Sequence, residues 1–580
     1  MNASRRIWMI AAGALALRLL LLWVRGDYIV YDEGYYLLLA RSLRAGHGFA
    51  LNGLPHVALS PLQPLVVAAL SFTGLPDLRA SRLLAAVCGA LLVVPVAALA
   101  RRWYGDTGAV TAAALVALFP SLITFLPFFP GERWNLYFGS EPLYLLVAGS
   151  AIVAAVRAVE SEQWRWWIIT GALGALAWLT RLEGIVLCAA LGVSMLAALA
   201  VRRRLALWPR ALAAIIAGVV IGAPYLGYLH GALGRWALSG RVQAAAAVAP
   251  AASATSTVPA ASGGSDAVRE FVWGGNTEVL WRTLYALDAA GTQMASQYWG
   301  VPRRMIAPAG VANPAMPVPA ASAARSPQPD REARPGPAVL TTLVRATVVV
   351  VPLWFLALAI VGLISTRPLR DAAIWLSPMV IASLAPALLA YAEPRVLLLL
   401  APAACILAAG ACEQLRVMAE RRPGAGRFGP LIAGAVAVLL LLPTAHDVSR
   451  AWSQQTPLQR LASARRIVGE YLGAHLGPDE RIVSWHPATA IFARRDWRVL
   501  PYTSFDRVIF YARAQGADAV VFSRFEPSPL REAPRAFTAV LLDEAGTAPS
   551  GSIKLNQVDV TPTLFIGRLA TAQDTAAVRR

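Results

Sequence analysis

Long apolar runs separated by short polar segments dominate the chain. A helix needs about 20 apolar residues to cross the hydrocarbon core of a membrane. Eleven segments approach that length: 7–24, 80–100, 107–126, 141–157, 166–180, 184–201, 211–229, 339–365, 372–391, 396–412 and 429–445. The pattern predicts an α-helical polytopic membrane protein with about eleven transmembrane helices.

The placement of arginines favours one orientation of these helices. With the N-terminus in the cytoplasm, every cytoplasmic loop carries at least two arginines, whereas the short outer loops carry one each, Arg133, Arg181 and Arg395. Cytoplasmic loops of membrane proteins are enriched in this way. The apolar segment 61–74 is too short to cross, and counting it as a span would move 202–204 to the outside. We therefore expect 61–74 to form a helix at the outer surface.

Composition excludes a soluble protein. Of 580 residues, 57% are hydrophobic and 15% charged, where soluble domains carry about 25% charged residues. The net charge of +19 is explained by basic cytoplasmic loops, and no nucleic-acid-binding signature accompanies it, so no nucleic-acid partner is predicted. The four cysteines lie in or beside apolar runs without metal-ligand spacing, which argues against disulfides and a cysteine zinc site.

Three regions are predicted to lie outside the cytoplasm. They are the first outer loop, 25–79, a long loop, 230–338, rich in Ala, Pro, Ser and Gly, and a tail, 446–580. The tail alternates helical and strand patterns, with helices at 462–475 and 506–515 and strands at 481–485 and 517–522. This alternation predicts a small C-terminal α/β extracytoplasmic domain after a transmembrane domain, 1–445.

Acidic residues stand at the start of two predicted helices. Asp32 and Glu33 follow the first span and open an amphipathic helix, Glu33–Arg44, while Glu141 begins the fourth span. Such acids suit catalysis, but Asp32 could simply cap its helix and Glu141 could match the helix dipole. Local sequence leaves both interpretations open.

Two further charged motifs are also predicted to lie at the outer face of the membrane. Arg181 and Glu183 occupy a tight turn between spans, where they could simply pair. Arg395 follows Glu393 and could pair with it or bind a phosphate. A proton or ion carrier would instead place acids near span centres. The clearest mid-span charge is Arg18, which we interpret as a structural arginine.

The order of these motifs resembles the GT-C glycosyltransferases, especially the branch of protein O-mannosyltransferases and the bacterial lipid-A aminoarabinose transferase. The common layout is a first span, an Asp-Glu loop, a Pro-rich surface helix, a Ser-Arg-Leu entry to the second span, an acid at the fourth span, and two later motifs before an α/β tail. In this chain these are Asp32-Glu33, Ser60–Leu65, Ser81-Arg82-Leu83, Glu141, Thr180–Gly184 and Glu393-Pro394-Arg395.

The resemblance implies an inverting transferase in a bacterial inner membrane. It would move a sugar from a polyprenyl-phosphate carrier to a glycan, lipid or protein on the outer face. Asp32, beside Glu33, would be the catalytic base, and Glu141 a second acid that orients the acceptor or holds a metal. The leaving phosphate needs a cation or metal. The substrate-binding candidates are Arg395 first, Arg181 second, and then Glu183, Glu393, Tyr35 and His56.

One motif departs from the family. Some relatives carry an acid and a lysine before the Pro-rich helix, and here His56 is the residue left to replace them. A lone loop histidine is more often simply solvated. No cofactor is therefore assigned, and a divalent metal ion stays open. The alternatives are a flippase for lipid-linked sugars, which should show charges along an internal path, and a non-catalytic scaffold.

Overall fold

The computed structural model forms two compact units, each built from several stretches of the chain. The first contains Met1–Gly46, Leu59–Ser239 and Thr342–Arg460, and the second contains His47–Ala58, Gly240–Thr341 and Leu461–Arg580. The structure describes residues 2–25, 29, 32–51, 54–124, 139–239, 347, 350–366, 369–389, 394–420, 435–436, 438–439, 457–484, 486–500, 512, 516–523, 537–541, 551–554 and 563–568.

The first unit is helical. Ala- and Leu-rich sequences favour helices, and in lipid a helix satisfies every backbone hydrogen bond internally. The helices are α1 (Ala3–Arg25), α2 (Glu33–Arg44), α3 (Leu62–Ser71), α4 (Asp77–Leu91), α5 (Val93–Leu118), α6 (Pro120–Thr124), α7 (Glu141–Ser161), α8 (Trp164–Thr180), α9 (Glu183–Val201), α10 (Trp208–Leu233), α11 (Leu353–Ser365), α12 (Leu369–Leu389) and α13 (Leu400–Glu420), with 3-10 turns at Leu205–Leu207 and Pro394–Leu399.

Several of these helices are membrane-spanning by length and composition. Within the described residues, six helical stretches are long and apolar enough to cross a membrane: Ala3–Trp23, Asp77–Leu118, Glu141–Ser161, Glu183–Val201, Trp208–Leu233 and Arg395–Met418. The stretch Asp77–Leu118 contains both α4 and α5. The predicted class, a multi-pass helical membrane protein, is therefore confirmed. Helices α8, α11 and α12 occupy three more predicted spans, and most of 429–445 lies outside the described residues. The number of eleven spans stays a prediction.

Two local features of the first unit agree with the sequence pattern. The segment 61–74 forms the ten-residue helix α3, about 15 Å long at 1.5 Å per residue, which is half of what a crossing needs. Gly105 has φ 66° and ψ −162°, values that break the helical path inside α5. Glycine adopts this backbone without strain, and the break separates the predicted spans 80–100 and 107–126.

Arg18 has the structural role that was expected of it. It is 3% exposed, and its guanidinium donates to the carbonyl oxygens of Ala14, at 3.1 Å, and Leu122, at 3.0 Å. A buried cation needs such acceptors in a low-dielectric interior. Arg18 thus ties α1 to α6.

A cluster of charged residues lies at the C-terminal ends of α7 and α9. These are the opposite ends from those at which the two helices begin with Glu141 and Glu183. Asp371 accepts hydrogen bonds from Arg102, at 2.6 and 3.0 Å, from Arg202, at 3.2 Å, and from the Trp103 indole, at 3.0 Å. Arg102 also pairs with Glu160. Burial by itself would raise the pKa of Asp371, but these hydrogen bonds outweigh it and the pKa is lowered. The cluster joins α5, α7, α9 and α12.

The second unit contains a six-stranded mixed sheet. Its strands are β3 (Arg481–Ser484), β4 (Asp496–Val499), β5 (Ala519–Ser523), β6 (Phe537–Leu541), β7 (Gly551–Lys554) and β8 (Thr563–Arg568), in the order β4-β3-β5-β6-β8-β7. The pairs β3–β4, β3–β5 and β6–β8 are parallel, and β5–β6 and β7–β8 antiparallel. A short hairpin, β1 (Ala50–Leu51) and β2 (Leu54–Pro55), belongs to the same unit.

Two helices accompany this sheet, α14 (Pro457–His475) and α15 (Ala488–Ala493). The predicted strands at 481–485 and 517–522 correspond to β3 and β5, and the predicted helix at 462–475 lies within α14. Only Ala512 of the predicted helix 506–515 lies inside the described residues. The domain boundary at 446 and the extracytoplasmic location of the tail stay predictions.

Candidate active site

Asp32 uses its carboxylate for a long-range ion pair. It precedes α2 in the position of a helix cap, yet its side chain makes no capping hydrogen bond within the described residues. Instead, Arg395 Nη1 donates to Asp32 Oδ2 at 2.8 Å. The two side chains are 26% and 21% exposed, respectively, so both can meet a solute. The Asp32 side chain therefore forms a tertiary ion pair and not the helix cap that its position would allow.

Arg181 is the centre of a buried cluster of charges. Its Nη1 donates to Glu141 Oε1 at 2.5 Å, and its Nη2 and Nε donate to the two oxygens of Glu183 at 2.9 and 3.2 Å. All three residues are less than 9% exposed. A guanidinium held by two carboxylates in the interior has its charge compensated, so this geometry favours a structural role for Arg181 over the phosphate-binding role that the sequence suggested.

The turn that carries Arg181 depends on a glycine. Arg181 ends α8 in an extended conformation, φ −150° and ψ 148°, and α9 starts two residues later. A Cβ on Gly184 would lie 2.3 Å from the backbone of Ala177 and Trp178. Only glycine lets α9 begin this close to α8, and the close approach brings Arg181 and Glu183 to Glu141.

Two hydroxyl groups link α2 to this cluster. The Tyr36 hydroxyl lies 3.1 Å from Ser140 Oγ, and Arg181 Nη1 donates to the same Ser140 Oγ at 3.4 Å. Burial, together with the charge of Asp32, raises the pKa of Tyr36 to about 12, so its hydroxyl stays protonated at neutral pH. The sequence placed Tyr36 on an apolar helix face and did not indicate Ser140 as part of a site.

Glu33 lies in a different environment from its neighbour Asp32. It is fully buried, and its Oε1 lies 3.9 Å from Nε of Arg82 on α4. A buried carboxylate beside a buried guanidinium joins two packed helices. The geometry favours this structural role over the catalytic role predicted for Glu33. The Ser81-Arg82-Leu83 motif had signalled Arg82 only as part of a span entry.

The remaining predicted site residues are His56, Tyr35 and Glu393. His56 belongs to the second unit and is 2% exposed, with its ring edge against Phe49 at a centroid distance of 5.8 Å. The expectation of a solvated loop histidine is therefore wrong, because the hairpin packing buries it. Tyr35 lies half-buried on α2, and Glu393 falls outside the described residues.

The described residues do not present a ligand set for a metal ion. None of the His, Cys, Asp and Glu side chains described here form a group of three or more that could hold one. Glu141 Oε1 is bonded to Arg181 and Asp32 Oδ2 to Arg395. The cationic groups next to these carboxylates are thus arginines.

The chain is similar to one protein family and to several solved structures. Residues 65–228 match the family described as dolichyl-phosphate-mannose-protein mannosyltransferase. No curated protein matches the sequence. Among solved structures, ArnT from Cupriavidus metallidurans bound to undecaprenyl phosphate is 14% identical, covers 96% of this chain and 97% of its own, and gives a TM-score of 0.48. An oligosaccharyltransferase from Archaeoglobus fulgidus, in complex with Zn and sulfate, is 13% identical. The match covers 97% of this chain and 73% of that one, with a TM-score of 0.48.

The family match confirms, over the segment that it covers, the resemblance to the GT-C glycosyltransferases predicted from the motifs. That segment includes Glu141, Arg181 and Glu183, but neither Asp32 nor Arg395. The match supports a role in glycosyl transfer.

Proposed function

We propose that this chain is an inverting glycosyltransferase that moves a sugar from a polyprenyl-phosphate carrier to a hydroxyl of a glycan, lipid or protein. The observation that carries the proposal is the Asp32–Arg395 pair, which places a carboxylate and a guanidinium 2.8 Å apart with both side chains partly exposed. A carboxylate can accept a proton, and a guanidinium binds phosphate oxygens. The family matched at 65–228 is described by a dolichyl-phosphate-mannose donor, which belongs to the same chemical class.

Asp32 is the base in this proposal. The acceptor hydroxyl gives its proton to Asp32 while its oxygen forms a bond to the anomeric carbon of the sugar. The bond between that carbon and the phosphate oxygen breaks on the opposite face, which inverts the configuration. The polyprenyl phosphate leaves with the electron pair, and the proton on Asp32 passes to solvent.

Arg395 stabilises the negative charge that develops on the leaving phosphate. A guanidinium carries five N–H donors, so one that bonds to Asp32 can also meet a phosphate. Donor binding would then draw Arg395 from a carboxylate toward a phosphate, which leaves Asp32 more basic and able to accept the acceptor proton. Arg181 has no comparable role, because it is buried and its guanidinium is bonded to Glu141, Glu183 and Ser140.

Glu141 is proposed to orient the acceptor. Its Oε1 is bonded to Arg181, while its Oε2 is buried with no hydrogen-bond partner in the described part of the chain. A buried carboxylate oxygen is costly to leave without a partner. The charges of Asp32 and Arg395 also act on this carboxylate, which supports the proposed role of Glu141.

The membrane setting follows from the same proposal. Asp32, Glu141 and Arg395 would lie at the extracytoplasmic end of an inner-membrane bundle, as the arginine bias of the opposite loops predicts. The Asp371 cluster, with Arg102 and Arg202, would then lie on the cytoplasmic side.

The test is turnover by the purified protein with a panel of radiolabelled polyprenyl-phosphate sugars, with and without a chelator. Asp32→Asn should lower transfer or donor hydrolysis by at least about a hundredfold, the lower range for loss of a general base. The matched control is Asp106→Asn, which removes an exposed carboxylate paired with Arg101 at 2.8 Å. Loss of turnover with the chelator would show that a divalent metal ion takes part in the reaction, and unchanged turnover would leave the charge stabilisation to arginines.

Three outcomes would contradict the proposal. Wild-type turnover by Asp32→Asn would remove the base assignment. No transfer or hydrolysis of any donor by the wild-type protein, with acceptor hydroxyls present, would contradict the transferase itself. Movement of the lipid-linked sugar across proteoliposomes without bond breakage would support the flippase instead.

A further inference from the structure

We infer that Tyr36 and Ser140 are positioning residues that hold Asp32 at a set distance from the Glu141–Arg181–Glu183 cluster. The inference rests on the proposed function, since Asp32 and Glu141 are the acids of that reaction. Neither Tyr36 nor Ser140 is assigned to touch the reacting atoms.

Tyr36 is anchored at both ends. Its backbone N–H donates to the carbonyl oxygen of Asp32 at 3.1 Å, one helical turn back along α2. Its hydroxyl lies 3.1 Å from Ser140 Oγ, at the start of α7. The ring is 5% exposed and therefore has little freedom to move. The side chain thus acts as a spacer between the residue that carries the proposed base and the helix that begins with Glu141.

Ser140 lies at the helix-capping position of α7 but does not use its hydroxyl as a cap. It precedes α7, where a serine hydroxyl normally caps the helix by bonding a backbone N–H of the first turn. Ser140 instead has φ −79° and ψ −5° and makes no side-chain capping bond to the part of the chain that is described. Its fully buried hydroxyl is directed to tertiary partners, Tyr36 and Arg181.

These contacts form one continuous chain. It runs from the Asp32 backbone through Tyr36 to Ser140, then to Arg181, and from Arg181 to Glu141. Reaction rates are sensitive to such placement, because a displacement of about 1 Å can cost about a hundredfold in rate. A neutral hydroxyl pair fixes the distance without adding charge beside two carboxylates.

The experiment compares Tyr36→Phe, Ser140→Ala and the double variant in the full-length protein. Tyr36→Phe removes one oxygen and keeps the packed ring. We expect it to lower kcat about tenfold, the effect of one hydrogen bond, and to change the KM for the sugar donor less than about twofold. The double variant should lose about as much kcat as either single variant, because the two hydroxyl groups form one contact.

A matched control separates positioning from stability. Tyr104→Phe removes a tyrosine hydroxyl that lies 2.6 Å from Thr366 Oγ1, outside the proposed site. Tyr36→Phe and Tyr104→Phe should lower Tm to a similar extent, but only Tyr36→Phe should lower kcat.

Each remaining outcome is decisive. Unchanged kcat in Tyr36→Phe, equal loss of kcat in Tyr104→Phe, or multiplied losses in the double variant would overturn the positioning role and leave the proposed function standing. Absence of turnover in the wild-type protein would instead overturn the proposed function, and the positioning role with it.

Discussion

Arg395 donates a 2.8 Å hydrogen bond to Asp32 from a position 363 residues later in the chain. Both side chains are partly exposed, in contrast to the buried pairs of Arg181. An anion that binds Arg395 must share the guanidinium with Asp32 or displace it. The same contact therefore links phosphate binding to the basicity of the carboxylate.

Loss of the Arg395 guanidinium should weaken donor binding. Arg395→Gln is expected to raise the dissociation constant for polyprenyl phosphate about tenfold to a hundredfold, because hydrogen bonds to charged groups contribute about 1.5–3 kcal/mol. Arg395→Lys should restore only part of the affinity, since an ammonium lacks the planar fork. Titration of the purified protein with the lipid measures this. Arg101→Gln, which breaks an exposed pair with Asp106, is the control, and equal affinity of both variants would rule out Arg395 as the phosphate ligand.

Arg181 should be required for folding. Arg181→Met leaves Glu141 and Glu183 buried without their cation, a change that typically costs about 3–5 kcal/mol. Thermal unfolding in detergent should show a clearly lower Tm. The triple variant with Glu141→Gln and Glu183→Gln should recover much of the Tm without activity. An unchanged Tm in Arg181→Met would show that the cluster is not structural.

Gly184 and Gly192 offer a matched pair on α9. Alanine at 184 would bring a Cβ to 2.3 Å from the backbone of α8, whereas a Cβ at 192 meets nothing within 4 Å. We expect Gly184→Ala to destabilise the protein by about 1–3 kcal/mol or more. Gly192→Ala should be neutral or stabilising by up to about 1 kcal/mol, since alanine favours helices. Similar unfolding temperatures for both variants would contradict the close approach of α8 and α9.

The Asp371 cluster should give acid-sensitive stability. Because the pKa of Asp371 is lowered below its ordinary value of 3.8, its contribution is fully present above that value and is lost as the pH falls through the folded-state pKa. Asp371→Asn should therefore be less stable than wild type at neutral pH. The difference in Tm between them should shrink below about pH 4. A difference that persists unchanged at acid pH would show that the charge of Asp371 is not what stabilises the cluster.

Features set by local sequence were predictable. The short helix α3, the separation of the spans 80–100 and 107–126, and the structural role of Arg18 follow from segment length and from the cost of an unpaired buried charge. The sequence did not indicate that Asp32 pairs with Arg395 or that Glu141 pairs with Arg181. These residues become neighbours only through helix packing.

The same limit applies to the burial of two predicted site residues. Glu33 and Asp32 are adjacent in sequence, yet Glu33 is fully buried while Asp32 is partly exposed. His56 was expected to be solvated because it has no partner at ligand spacing in the sequence, but it is 2% exposed in the folded chain. In both cases burial depends on segments that are remote in sequence or on packing that periodicity does not record.

The wide sequence separation of two ion pairs, Asp32–Arg395 and Arg102–Asp371, has a consequence for biosynthesis. Arg395 is synthesised 363 residues after its partner Asp32, and Asp371 is synthesised 269 residues after its partner Arg102. During insertion the early helices must therefore remain in the bilayer with these charges solvated or provisionally paired until α12 and the turn at Pro394–Leu399 emerge from the ribosome. Helices α12 and α13 thus complete the bundle at both of its ends, so a membrane-inserted fragment that lacks them would hold the proposed base without the arginine that partners it.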